Sequence, residues 1–178
     1  MAGREAWDPA PPRLEEAAPG RRCTGTIVAS TLTSKEVDDA AELESLLDQL
    51  EEPLAAVIAD GAYDQDRVYD DVAGHSAEAA VVVPPRSTAV LSPSAETDPT
   101  QRDRHIQAIA EQGRMGWQKT SGYNARARAE GTMSRYKRII GDTLRSHSRP
   151  AQETETRIAV SILNRMFVLA RPESVRAA

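Results

Sequence analysis

Leu54-Ala-Ala-Val-Ile-Ala59, then Asp60-Gly-Ala-Tyr-Asp64, then residues 65–78, then Ala79-Ala-Val-Val-Val83: this stretch decides the fold. Each apolar run is short and continuous rather than alternating. Such runs belong to strands covered on both faces, as parallel sheets are. A helical stretch is expected across roughly 64–73, so the order reads strand, helix, strand, the pattern of an α/β sheet with crossover helices. Pro53 ends the element before the first run, and Pro84-Pro85 ends the second.

Upstream, Leu43, Leu46, Leu47 and Leu50 form an apolar stripe that predicts a helix over roughly 38–51. Ser34 offers an N-cap, with Glu36 in the following turn. The β-branched segment Gly25-Thr-Ile-Val-Ala-Ser-Thr-Leu-Thr33 predicts another strand. Residues 1–22 hold Pro9, Pro11, Pro12, Pro19 and Gly20 among charges and alanines, and read as a disordered tail. Downstream, residues 86–100 read as a loop and residues 171–178 as a second tail. Helices are expected over roughly 100–113, 123–139 and 151–169. In the last of these Ile158, Ile162 and Met166, with Leu163 beside them, read as a core-facing stripe. No internal repeat is visible. The expected architecture is α/β, a small central sheet with flanking helices and a helical carboxyl-terminal part, over residues 23–170.

Composition narrows the function. The 178 residues are 40% hydrophobic and 28% charged, an ordinary balance for a soluble domain. No apolar run approaches the roughly 20 residues that cross a bilayer. Arg4, Glu5 and Asp8 interrupt any leader-like run, so an intracellular, non-membrane protein is expected. The single cysteine, Cys23, excludes an internal disulfide and a cysteine-based metal site. The net charge of −5 conceals a split. Residues 1–100 hold 7 basic and 20 acidic residues, a balance of −13, whereas residues 101–178 hold 15 and 7, a balance of +8. A basic second half can attract a polyanion, or the halves can simply neutralise each other.

Two motifs carry possible chemistry. Asp60 follows a buried strand, where α/β sheets place their sites, and its carboxylate is a hard ligand suited to Mg²⁺ or Mn²⁺. Asp60-Gly61 can equally be turn chemistry, with Gly61 supplying a positive φ. The second motif lies in the helix near residue 130. Tyr123, Arg126, Glu130 and Lys137 stand at offsets 0, 3, 7 and 14, within roughly 60° of one another around a helix. A face of phenol, two cations and an acid suits metal and phosphate; it also suits a solvated face with an Arg126–Glu130 pair. Taken together, a strand-end acid and a helical acid beside cations are equipment for two-metal phosphodiester chemistry. The remaining candidates are weaker. His75, His105 and His147 lack ligand spacing and read as surface or packing residues, Trp117 reads as base-stacking or helix-packing, and Arg135-Tyr-Lys-Arg138 reads as a DNA-backbone contact or a solvated helix end.

Asp60-Gly-Ala-Tyr-Asp64 followed by the Tyr123–Arg126–Glu130–Lys137 spacing resembles the signature of bacterial insertion-sequence DDE transposases, in particular the group named after insertion sequence five. The resemblance runs from about Thr24 to Ala170 and includes Ile27-Val-Ala29, Val37-Asp-Asp39, Gly122-Tyr-Asn124, Arg135-Tyr-Lys137, Gly141 and Asn164-Arg-Met166. It implies a ribonuclease-H-like core in which Asp60 and Glu130 are catalytic metal ligands for Mg²⁺ or Mn²⁺. It implies that Tyr123, Arg126 and Lys137, joined here by Arg135 and Arg138, bind DNA phosphates. The implied reaction is cleavage of double-stranded DNA at transposon ends, then strand transfer into target DNA. The family's first catalytic Asp lies upstream of the segment matching Gly25–Thr33, where this chain has its proline-rich stretch. Asp8 is no match for it, and Asp38 and Asp39 stand where relatives often carry His-Asp. The resemblance thus implies an incomplete ribonuclease-H-like fold, a truncated transposase carrying the carboxyl-terminal part of the catalytic domain. Its alternative is an inactive remnant that binds DNA or a full-length transposase as a regulator. Either would act in the bacterial cytoplasm, associated with the nucleoid, and self-association is expected.

Overall fold

The computed structural model describes residues 13–16, 25–33 and 37–170. Its sheet has three strands, β1 (Arg13–Glu16), β2 (Leu54–Ile58) and β3 (Ala80–Val82), in the order β1-β2-β3. The two apolar runs become β2 and β3, parallel and in register from Ala56–Ala80 to Ile58–Val82. Helix α2 (Asp66–His75) makes the crossover between them. β1 pairs antiparallel with the other edge of β2, from Arg13–Ile58 to Glu16–Leu54. This strand falls within the stretch expected to be a tail. Its pairing is through backbone groups, which any sequence carries.

Toward the carboxyl-terminal ends of β2 and β3 both faces are covered, which suits their unbroken apolar character. On one face Val57 and Val81 pack with Leu43 and Leu47 of α1 (Leu43–Leu47) and with Val68 and Val72 of α2. On the other, Ile58 and Val82 pack against Trp117. Burial of each such side chain stabilises by about 1.5–3 kcal/mol. The helix expected at 38–51 appears as a 3₁₀ turn, Asp39–Glu42, running into α1. Ser34 and Glu36 lie outside the described residues, as does Cys23.

Helix α3 (Gln101–Thr120) starts with a capping box: the Thr100 hydroxyl accepts from Asp103 N–H while the Asp103 carboxylate accepts from Thr100 N–H. The buried Asp103 carboxylate also accepts from Ser92 N–H at 2.7 Å and from its hydroxyl at 2.7 Å, pinning the preceding loop. α3 breaks at Gly113, whose φ of 73° and ψ of 165° belong to a region essentially restricted to glycine. The break is a sharp reversal. Trp117 Nε1–H donates to His105 Nδ1 at 2.9 Å, whereas twelve residues of unbroken helix would hold them about 18 Å apart.

Two further helices, α4 (Ala127–Ile139) and α5 (Arg149–Leu169), pack through Tyr136, Ala159 and Leu163. The segment Gly25–Thr33 packs against them without regular secondary structure and is not a strand, contrary to the sequence expectation. Side chains take the place of a ladder partner. Ile27 N–H donates to Asn164 Oδ1 at 2.9 Å, Asn164 Nδ2 donates back to Ile27 O at 2.8 Å, and Arg149 donates to Leu32 O. Of the stripe expected to face the core from α5, Leu163 is buried, together with Thr156 and Ala159, but Ile158, Ile162 and Met166 turn outward and are 55%, 47% and 45% exposed. Among the described residues no helix is long and apolar enough to cross a membrane.

Candidate active site

Asp60 stands just beyond the carboxyl end of β2, outside the parallel pair, where open α/β sheets present their ligand sites. It caps the 3₁₀ turn Gly61–Tyr63, its Oδ1 accepting from Ala62 N–H at 3.0 Å. Turn chemistry is therefore present, but not through a positive φ at Gly61, which is absent from the positive-φ glycines. A Cβ at Gly61 would come within 3.4 Å of Pro84 O, so the residue serves close approach to the chain after β3.

The second carboxylate arrives from the far side of the sheet. Gly122, in the left-handed region at φ 76°, turns the chain into a 3₁₀ segment, Tyr123–Arg126, that leads into α4. Three residues per 3₁₀ turn eclipse Tyr123 and Arg126, and one α-helical turn further sets Glu130 beside Arg126. The alignment expected from a uniform helix thus survives a change of helix type. The Tyr123 ring leans on Trp117 with centroids 5.3 Å apart, and Trp117 meets His105 edge to face at 5.4 Å. His105 Nε2–H donates to Val81 O at 2.8 Å while its Nδ1 accepts from Trp117, which fixes one neutral tautomer. A chain of contacts so ties β3 to the start of α4. Trp117 is buried within it and is a packing residue, not a base-stacking platform.

Arg126 joins the two acids. Its Nη2 donates to Asp60 Oδ2 at 3.0 Å and its Nη1 donates to Glu130 Oε1. The side chains of Asp60, Arg126 and Glu130 are 36%, 25% and 61% exposed, so the cluster opens to solvent. The Arg126–Glu130 pair of a solvated helix face is present, and the same guanidinium draws in Asp60 from 66 residues away. Burial opposes the Arg126 charge, but Tyr123, Asp60 and Glu130 outweigh it and raise its pKa. Burial raises the Tyr123 phenol, and the charges of Asp60 and Glu130 add to that, so the ring is a neutral hydroxyl beside the acids.

The other acids divide clearly. Asp64 is buried and turned away, accepting from Arg102 Nε at 2.7 Å, Arg102 Nη2 at 3.2 Å and Arg86 N–H at 2.9 Å. Asp38 caps the turn at 39–42 and accepts from Gln65 Nε2 at 3.0 Å. Burial raises the pKa of the Tyr63 phenol, and the charges of Asp39, Asp60 and Asp38 raise it further. Among the described residues, however, no group of three or more His, Cys, Asp or Glu is assembled that could hold a metal.

Of the expected phosphate ligands, Lys137 and Arg138 are exposed on α4. Arg135 is engaged internally, its Nη2 donating to Gly25 O at 3.1 Å and its guanidinium lying 4.7 Å from the Phe167 ring centroid. Sequence spacing missed the His105–Trp117 support, because only the reversal at Gly113 brings these residues together.

As a donor set, the Asp60–Glu130 pair fits a hard divalent ion: two carboxylates from separate elements already converge on one cation, the guanidinium. No solved structure matches the chain. A family model described as transposase DDE domain matches residues 22–165. With that span covering most of its length, the chain belongs to the transposase DDE domain family and so to the proteins of DNA transposition.

Proposed function

We propose that the protein acts on double-stranded DNA as a DDE transposase of the insertion-sequence-five group, with a ribonuclease-H-like catalytic core. Asp60 and Glu130 are then the second and third acids of the triad and would hold Mg²⁺ or Mn²⁺. When bound, the metal supplies activation of the attacking oxygen and charge stabilisation at phosphorus. The chain's own part is to orient and to neutralise. Asp60 is fixed by its cap to Ala62 N–H, Tyr123 presents a neutral hydroxyl, and Arg126, Lys137 and Arg138 offer cations to phosphate oxygens. The convergence of Asp60 and Glu130 on Arg126 is the observation that carries this reading. Incubation with Mn²⁺ and transposon-end DNA should give nicks or joined strands, and Glu130→Gln should abolish them with the fold intact. Activity unchanged by Glu130→Gln would refute the assignment.

One observation favours a second reading. The described residues assemble two carboxylates, not three. A non-catalytic regulator that holds DNA, or pairs with a complete transposase, would show salt-sensitive DNA binding without cleavage.

A further inference from the structure

We propose that Arg126 is a built-in counter-cation of the acidic pair, displaced when a divalent ion binds, so that metal uptake and release of the guanidinium are one exchange. The inference rests on the reading above, in which Asp60 and Glu130 are the metal ligands, and adds that the metal-free site is filled by the chain's own cation.

Three features of the cluster lead to it. Asp60 Oδ1 already accepts from Ala62 N–H, so Oδ2 is the oxygen left for a cation, and Arg126 Nη2 occupies it at 3.0 Å. The other arm of the same guanidinium sits on Glu130 Oε1, so both arms of the fork are taken by acids. A divalent ion bonded to Oδ2 at about 2.1 Å would share that oxygen with the guanidinium and repel it at short range.

The pairing is also open enough to exchange. Its three side chains keep substantial solvent contact, and ion pairs of that kind contribute little, so replacement costs little. The Arg102–Asp64 pair shows the contrast: there the carboxylate is fully buried and three donors hold it. Once freed, the Arg126 side chain remains at the head of α4, on the face that carries Lys137, with a planar fork suited to a phosphate. Metal would then come first and a firm hold on the DNA backbone second.

Arginine side-chain ¹⁵N NMR of the full chain during a Mg²⁺ titration tests the exchange. The Arg126 Nη signals, assigned by their loss in Arg126→Lys, should be split and restrained without metal. They should collapse to averaged signals with the midpoint found calorimetrically for Mg²⁺. Arg126→Gln, its fold checked by circular dichroism, should bind Mg²⁺ roughly three- to tenfold tighter because no resident cation competes. Saturable Mg²⁺ binding with unmoved Arg126 signals would overturn the exchange and leave the metal assignment standing. No saturable binding in either the parent or Arg126→Gln would overturn both.

Discussion

Asp60 and Asp64 lie four residues apart in one motif, yet they should respond oppositely to the same substitution. In Asp64→Asn the carboxylate with a fully buried side chain is replaced, and Arg102, 22% exposed, loses its charged partner. Breaking a buried pair costs about 3–5 kcal/mol, and the partial exposure of Arg102 lowers the expectation to roughly 2–4 kcal/mol. For a chain of this size that corresponds to a fall in Tm of about 5–12 °C. Asp60→Asn keeps an oxygen that can cap Ala62 N–H and loses one partly exposed ion pair, so its cost should stay near 0–1 kcal/mol. Under the proposed function its effect should fall on metal binding instead. The pH dependence follows from the same geometry. Burial pushes the Asp64 pKa up, but the bonds from Arg102 and Arg86 outweigh it and hold the group below its ordinary value. A depressed carboxylate stabilises above its unfolded pKa and loses that contribution as pH falls through the folded one. Asp64→Asn should therefore remove part of the acid-side loss of stability below about pH 4. Urea denaturation of both variants at neutral and acid pH makes the comparison. If Asp64→Asn costs less than Asp60→Asn, the division between a structural and a functional acid is wrong.

Three other tests concern the scaffold. Leu163→Ala should cost about 2–5 kcal/mol, whereas Ile162→Ala, on the outward stripe, should cost roughly 0.5 kcal/mol; equal costs in urea would show that α5 is rotated. Burial holds the His105 pKa below its ordinary value against the opposing Val81 carbonyl bond and Asp64 charge. Unfolded chains therefore take up the proton first, and stability should decline as pH drops below about 6.5. His105→Phe should flatten that limb, and an unchanged slope would count against the tautomer. Asn164→Leu removes both bonds to Ile27, so hydrogen exchange at the Ile27 amide should accelerate by about tenfold or more while β2 amides keep their protection. Equal acceleration in both places would mean that the Gly25–Thr33 segment is not a separate unit.

Local pattern was sufficient where burial on two faces leaves one solution. The runs at Leu54–Ala59 and Ala79–Val83 are strands because no other short element hides so many apolar side chains. The alignment of Tyr123, Arg126 and Glu130 was legible for a related reason, since 3₁₀ and α geometry both return them to one side. Where two partners could satisfy the same pattern, the sequence was silent. Gly25–Thr33 has the composition of a strand, but Asn164 and Arg149 serve its backbone as well as a neighbouring strand would. Helix α5 carries two apolar stripes. The inner one is small at Ala159, and its cluster includes the bulky Tyr136 of α4, a complementarity invisible from α5 alone. β1 shows the same limit, its pairing resting on backbone groups that composition does not encode.

Gly113 gives the molecule an unusual point of leverage. No neighbouring atom lies within 4 Å of where a Cβ would sit, so a methyl group there would meet only the intrinsic resistance of an L-residue to that rotation. Straightened, the twenty residues of α3 would form a rod about 30 Å long. Its distal third would swing clear, stripping cover from Ile58 and Val82 and removing the prop behind Tyr123. The acid pair would lose its backing although every polar group around it remained chemically intact.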